Sequence, residues 1–312
     1  MSEMKFPVGI QQFEKLRQGG YVYIDKTKYI YDLVDRGCYY FLSRPRRFGK
    51  SLLMSTIEAY LSGRKDLFEG LALEKLETEW TQYPILHLDL NSQKYDTPEA
   101  LTDILNNAVS QWEQTYGIVE TEKSLGMRFG GVMQRAYEKT GRQVVVLIDE
   151  YDKPLLQAYG NDDLLNDYRG TLKAFYGNLK SCDKYIKFAL LTGVTKFGKV
   201  SVFSDLNNLM DISMDLRYAP ICGITEGELH DYFDNEIQLL AEAQKMTVEE
   251  TYAKLKEDFD GYHFHEDAEG MYKKENNKVV LAVINRRELP TVMNIVKKYD
   301  ETFVYYTDVK GV

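Results

Sequence analysis

The sequence predicts an α/β fold in which helices cover both faces of a parallel sheet. Three observations point to it. Short apolar runs alternate with longer segments of helical period. The apolar runs are nearly continuous instead of alternating with polar residues, as strands buried on both faces require. The unusual polar residues gather at the carboxyl ends of those runs, which is where parallel sheets assemble their ligand sites.

The strand segments are YYFLS (39–43), PILHLDL (84–90), QVVVLID (143–149) and KFALLTG (187–193). SLLMSTIEAYL (51–61) follows the first as a helix, and PEALTDILNNAVSQWEQTYG (98–117) follows the second. Within 161–180, Leu165, Tyr168, Leu172, Phe175 and Leu179 recur at steps of three and four, so they share one helix face. From Gly223 onward, ITEGELHDYFDNEIQLLAEAQ and TVEETYAKLKEDFDGYHF predict two or more amphipathic helices and a short aromatic turn. From Lys278 the texture changes to VVLAVI, RRELPTVMNIVKKY and FVYYTDV, a strand–helix–strand unit. The expected division is a nucleotide-binding domain at 1–222, a helical, lid-like or winged-helix-like region at 223–269, and a tail at 270–312.

Composition narrows the function classes. With 312 residues, 44% of them hydrophobic and 13% aromatic, the chain can bury a sizeable core and is not a disordered type. A net charge of −9 argues against sequence-independent nucleic-acid binding by the whole surface. Cys38, Cys182 and Cys222 lie far apart and are odd in number, which fits reduced thiols in a cytoplasmic protein and not a disulfide framework or a zinc site. The start, MSEMKFPVGIQQFEK, lacks the apolar core of a secretory signal, and no run of about 18 apolar residues predicts a membrane span.

The strongest local signal is FLSRPRRFGKS. A buried strand enters a loop that ends Gly49-Lys50-Ser51, and a helix starts directly after it, which is the context of a phosphate-binding Walker A loop. Gly49 permits close backbone approach to phosphate, Lys50 reaches the β- and γ-phosphates, and the Ser51 hydroxyl is a magnesium ligand. The helix start at Ser51 and Leu52 adds amide donors and the positive end of the helix dipole. Arg44, followed by Pro45, stands where the standard pattern has its first glycine. Arg44, Arg46 and Arg47 make the loop basic, and Phe48 completes it, so Arg44 to Leu52 is the expected nucleotide-binding segment. A Gly-Lys-Ser tripeptide alone fits an ordinary helix start equally well; the preceding strand and the arginines favour the phosphate loop.

The second signal is VVVLIDEYD, an apolar strand ending in Asp149 and Glu150 as a Walker B strand does. Asp149 is expected to hold magnesium through water, and Glu150 to orient or deprotonate the attacking water. Acids at a solvent-facing strand end are common, so the weight lies in the pairing of the two motifs on separate strands about 100 residues apart. After the fourth strand, in LLTGVTKFGKVSVFSDLNNLMDIS, Thr192 sits where a residue sensing the γ-phosphate or the attacking water belongs. Thr195, Lys196 and Asn207 are further polar candidates, and Asp89 closes the second strand as either a cap or a site residue. His263 and His265 have the alternate spacing of metal ligands but no partners, and a packed or exposed role is preferred. For Arg217 a surface salt bridge is preferred over an arginine finger, Trp80 and Trp112 are expected in the core, and the acids from Glu249 to Glu257 form a solvated helix face.

Together FPVGIQQFEKLRQGGYVYIDKTKYIYDLV, FLSRPRRFGKSLL, VVVLIDEYDKPL, LLTGVTKF, FSDLNNLMDIS and FDGYHF resemble the bacterial AAA-ATPase-like family over about residues 4 to 270. That family shares the Arg-Pro form of the loop. The resemblance implies that Tyr23, Asp25, Lys26 and Thr27 lie near the nucleotide, with ATP and Mg2+ as the ligands. Members usually run on from the aromatic turn into further helices and a nuclease-like domain. Here GMYKKENNKVVLAVINRRELPTVMNIVKKYDETFVYYTDVKGV is similar instead to the small cytosolic domain that ends YitT-type membrane proteins, as an incomplete ferredoxin-like unit. Gly270-Met271-Tyr272 suits both patterns, so the join of a chimera is expected there. The expected activity is hydrolysis of Mg-ATP to ADP and phosphate. The alternatives are a nucleotide-dependent switch or scaffold, acting through a homo-oligomer or a protein partner, and a nucleic-acid-associated ATPase, which the net charge disfavours.

Overall fold

The computed structural model describes residues 5–195, 208–259 and 271–272. The chain runs α1 (Phe13–Gln18), α2 (Thr27–Arg36), β1 (Tyr39–Ser43), α3 (Lys50–Leu61), α4 (Ala72–Leu76), β2 (Ile85–Asp89), α5 (Pro98–Tyr116), α6 (Leu125–Thr140) and β3 (Val144–Asp149). It continues through α7 (Lys153–Ala158), α8 (Asp162–Ser181), β4 (Ile186–Gly193), β5 (Met210–Asp211), β6 (Ile224–Thr225), α9 (Glu226–Gln244), α10 (Val248–Phe259) and β7 (Met271–Tyr272).

Among the described residues, β2–β3–β4–β1–β5 form one parallel sheet in that order. β1, β3 and, apart from Lys187, β4 are buried on both faces, as their unbroken apolar runs require, whereas the edge strands β2 and β5 are only partly buried. In β3, Val144, Val146 and Ile148 face α5, α6, α7 and α8, while Val145 and Leu147 face α2 and α3 on the other side. The same alternation sends Tyr39 and Phe41 of β1 to the first core and Tyr40 and Leu42 to the second. The helix after β1 therefore packs on the face opposite to the helices after β2 and β3. Connections that leave for opposite faces open a crevice at the carboxyl end of the sheet, and β1 and β4 lie side by side there.

All four expected strands form, with ends within a residue or so of the sequence reading. The face Leu165, Tyr168, Leu172, Phe175 and Leu179 of α8 is wholly buried. Helix α6 is not foreshadowed, because Gly126, Gly130 and Gly131 weaken its pattern. Two of these glycines serve helix packing: a Cβ at Gly126 would lie 3.0 Å from Asn178 Nδ2, and one at Gly130 would lie 3.3 Å from Cys182 Sγ. Trp80 and Trp112 are partly buried against the two cores. Cys38, Cys182 and Cys222 are free thiols. No helix among the described residues is long and apolar enough to cross a membrane.

The segment after Gly223 forms the two expected helices, α9 and α10, and β6 pairs antiparallel with β7. The aromatic turn, His263 and His265, and the tail from Lys273 lie outside the described residues. Helix α9 starts with a capping box: Thr225 Oγ1 accepts from Glu228 N and Glu228 Oε2 accepts from Thr225 N. The same Glu228 carboxylate takes the Lys26 ammonium, with Nζ to Oε2 at 2.6 Å, and Asp25 N donates to Tyr232 Oη at 3.1 Å. One acid thus caps α9 and ties it to the start of α2. Burial pulls the Lys26 pKa below its ordinary value, a shift that the Glu228 charge opposes. Replacing Glu228 with Ala removes the side-chain half of the capping box and strands that ammonium. The expected loss in urea denaturation is about 3 kcal/mol; a change within about 0.5 kcal/mol contradicts this role.

Candidate nucleotide-phosphate site

The loop leaving β1 is held from both sides. Arg44 N donates to Gly193 O at 3.1 Å, which fixes the start of the loop to the end of β4. Gly49 caps α3 with φ 88°, a left-handed conformation that favours glycine. A side chain there would meet open space, so the constraint is the backbone angle and not crowding. Pro45 and Phe48 are buried, while Arg46, Arg47 and Gly49 are exposed. Lys50 folds back over the loop: Nζ donates to Arg44 O at 3.1 Å and Pro45 O at 3.3 Å, and lies 3.1 Å from Glu150 Oε1. The Lys50 side chain is 4% exposed.

The acids approach from β3. Asp149 Oδ2 accepts the Ser51 hydroxyl at 2.7 Å, and Oδ1 accepts the Thr192 hydroxyl and, at 3.1 Å, the Glu150 amide. Glu150 has φ 54°, uncommon for a residue with a side chain. The chain turns there, and Tyr151 N then donates to Thr192 O at 2.9 Å. Lys50, Ser51, Asp149, Glu150 and Thr192, read from three separate segments, are therefore brought together through direct contacts.

Other expected residues are placed differently. The Arg44 guanidinium is buried and is committed to backbone carbonyls, with Nη1 to Ser43 O at 3.0 Å and Ser213 O at 2.7 Å and Nη2 to Tyr218 O at 3.3 Å. Burial lowers its pKa to about 10, so it stays a cation at neutral pH. Asp25 and Thr27 hold local structure: Asp25 Oδ1 accepts from Thr27 N and Oγ1, Asp25 Oδ2 accepts from Ala72 N at 2.7 Å, and Thr27 Oγ1 accepts from Leu73 N at 3.0 Å. Asp89 takes the capping role, accepting from Asn91 N at 2.7 Å, and its backbone sits opposite Asp149 in the β2–β3 register. Arg217 pairs with Asp215 at 2.5 Å, and Glu249, Glu250 and Glu257 are exposed. Lys196 and Asn207 lie outside the described residues.

The motifs did not single out Asp152, although the IDEYD string contains it. It is fully buried, and its Oδ2 accepts from Val194 N at 3.0 Å, Thr195 N at 2.6 Å and Thr195 Oγ1 at 2.6 Å. Burial, and next the Glu150 charge, push its pKa from 3.8 up to about 6. On the far side of the sheet face, His87 Nδ1 lies 2.7 Å from Glu58 Oε2. Burial disfavours its imidazolium, but the Glu58 bond and the charges of Glu58, Asp149 and Asp89 outweigh that and raise its pKa.

Residues 7–203, which hold this whole cluster, match the family described as "Predicted AAA-ATPase". The chain belongs to this AAA-ATPase-like family. A second match, at residues 266–312, is to DUF2179, described as an "Uncharacterized protein conserved in bacteria" and found in YitT-type proteins. It begins beside the Gly270-Met271-Tyr272 string, as a chimera of two families requires. A curated relative, the "Uncharacterized protein in vnfD 5'region" of Azotobacter chroococcum mcd 1, is 40% identical over 239 residues, 76% of this chain and 46% of the relative. The AAA-ATPase-like chain thus spans about half of that relative's length.

The raised Asp152 pKa has a definite sign in stability. Between about pH 4 and pH 6 the folded state holds a proton that the unfolded state has released, so this group lowers stability as pH rises through that window. Asp152→Asn keeps an acceptor oxygen and cannot ionise. Denaturation at pH 4 and pH 7 is expected to show the variant gaining on wild type by roughly 2 kcal/mol between the two. A constant difference at both pH values contradicts the shift.

Proposed function

We propose that the chain binds Mg-ATP at the Arg44–Leu52 loop and hydrolyses it to ADP and phosphate. The observation that carries this reading is the interlock of Ser51 with Asp149 at 2.7 Å and of Lys50 with Glu150 at 3.1 Å. The Ser51 hydroxyl and the Asp149 carboxylate are hard oxygen donors side by side at the start of α3, the donor set that suits magnesium. Ser51 and Asp149 would hold such an ion, which would supply positive charge against the developing negative charge of the transferring phosphoryl group. Lys50 exchanges its loop carbonyls and Glu150 for phosphate oxygens, and the amides at the start of α3 add donors. That exchange frees Glu150 to take a proton from the attacking water, with the Thr192 hydroxyl beside it at Asp149.

The exposed Arg46 and Arg47 are proposed to add contacts to the nucleotide's phosphates, and the segment around Asp25 and Thr27 to border it. Preference for ATP over GTP rests on the family description, "Predicted AAA-ATPase". The free thiols support a reducing, cytoplasmic setting. The proposed division remains 1–222 for the nucleotide domain and 223–269 for a helical region that reports its state. A second reading, a switch with little turnover, is favoured by one observation: Lys50 and Glu150 neutralise each other.

Phosphate release with ATP and magnesium decides between them. Wild type is expected to turn over, and Lys50→Ala and Glu150→Gln to lose about 100-fold or more, with ATP binding kept in Glu150→Gln. Tight binding that Lys50→Ala abolishes, without turnover in wild type, selects the switch. Neither binding nor turnover overturns both readings.

A further inference from the structure

Asp152 lies one turn past the acids, at the start of α7, and its bonds reach across to the strand that separates the two motif strands. The β4 exit is clamped at successive points: Tyr151 N on Thr192 O at 2.9 Å, Asp152 Oδ2 on the Val194 and Thr195 amides, and Tyr151 Oη on Thr195 O at 3.0 Å. The clamp is tight enough to require glycine between them. A Cβ at Gly193 would lie 2.5 Å from the Tyr151 ring and 2.8 Å from Asp152 Oδ1. On its other side the same strand end accepts the Arg44 amide through Gly193 O. β4 therefore enters the site between the phosphate loop and the acids, and Asp152 supplies three of the bonds that fix where it does so.

An aspartate used only for packing has no reason to be there. A carboxylate with no exposure, bonded through one oxygen while Oδ1 has no hydrogen-bond partner among the described residues, is costly to bury.

We propose that Asp152 is a positioning residue for hydrolysis: through Oδ2 it fixes the turn after β4 and so holds the Thr192 hydroxyl against Asp149, beside Glu150. This rests on the hydrolase reading above and adds to it a group that touches neither nucleotide nor water. Displacing a group aligned on a reacting centre by about an ångström can cost 100-fold in rate while leaving binding intact.

The test compares wild type, Asp152→Ala and Asp152→Asn for kcat, for affinity toward a non-hydrolysable ATP analogue, and for hydrogen exchange at the Val194 and Thr195 amides. Asp152→Ala is expected to lose about 10- to 100-fold in kcat, to bind the analogue within about threefold of wild type, and to lose protection at both amides. Asp152→Asn is expected to recover most of the rate. Should Asp152→Ala not fold, Thr195→Val removes one of the three bonds and is expected to lower kcat, but not affinity, by a smaller factor. Equal kcat in wild type and Asp152→Ala, or an affinity that falls in step with kcat, overturns the positioning role and leaves the ATPase intact. Absence of turnover in wild type overturns the hydrolase reading and this role with it.

Discussion

The Asp149 carboxylate is the junction on which the site depends. One oxygen receives Ser51 from the helix after β1, and the other receives Thr192 from β4 and the Glu150 amide that follows it. Three segments far apart in sequence are brought into register by one side chain with 4% exposure. The sheet order makes this possible, since β4 lies between β1 and β3 and all three strands end on the same edge. A carboxylate so placed must have its lone pairs satisfied or neutralised, and its partners are the hydroxyls and amide that flank it.

Around this junction the backbone takes conformations that ordinary residues avoid. Gly49 lies at φ 88° and Glu150 at φ 54°, one at each approach to the site. The glycine adopts its angle at no steric cost, whereas the glutamate is held by the bonds of the Asp149–Asp152 turn to β4. Strain of this kind persists only where neighbouring bonds over-determine the backbone. The Lys50 side chain is 4% exposed and the Glu150 side chain 16%, so in the proposed function an anion entering the loop has to break a partly desolvated ion pair.

Much of this was legible in the residues themselves. Unbroken apolar runs revealed β1, β3 and β4 because strands covered on both sides leave no polar alternation to misread, and the edge strand β2 was legible although His87 and Asp89 interrupt its apolar run. Lys50, Ser51, Asp149, Glu150 and Thr192 could be singled out because Lys50 and Ser51 open the helix after β1, while Asp149, Glu150 and Thr192 lie at or just past the ends of β3 and β4. Arg44 illustrates the limit: its charge marked it as a phosphate contact, and only the fold shows a guanidinium bonded to the carbonyls of Ser43, Ser213 and Tyr218. Asp25 and Thr27 were placed near the nucleotide by resemblance, and their polar atoms turn out to hold the starts of α2 and α4. Asp152 escaped notice because its partners are the amides and a hydroxyl in the turn just past β4, a relation without any local pattern.

The central claim is that the Ser51–Asp149 junction accepts a metal-bound nucleotide. The most direct measurement is a crystal structure grown with a non-hydrolysable ATP analogue and manganese, using anomalous scattering to locate the metal. The account predicts one peak beside Ser51 Oγ and Asp149, with Lys50 Nζ moved from Glu150 onto the phosphates. A nucleotide bound elsewhere, or a metal away from those two residues with the Lys50–Glu150 pair intact, would contradict it.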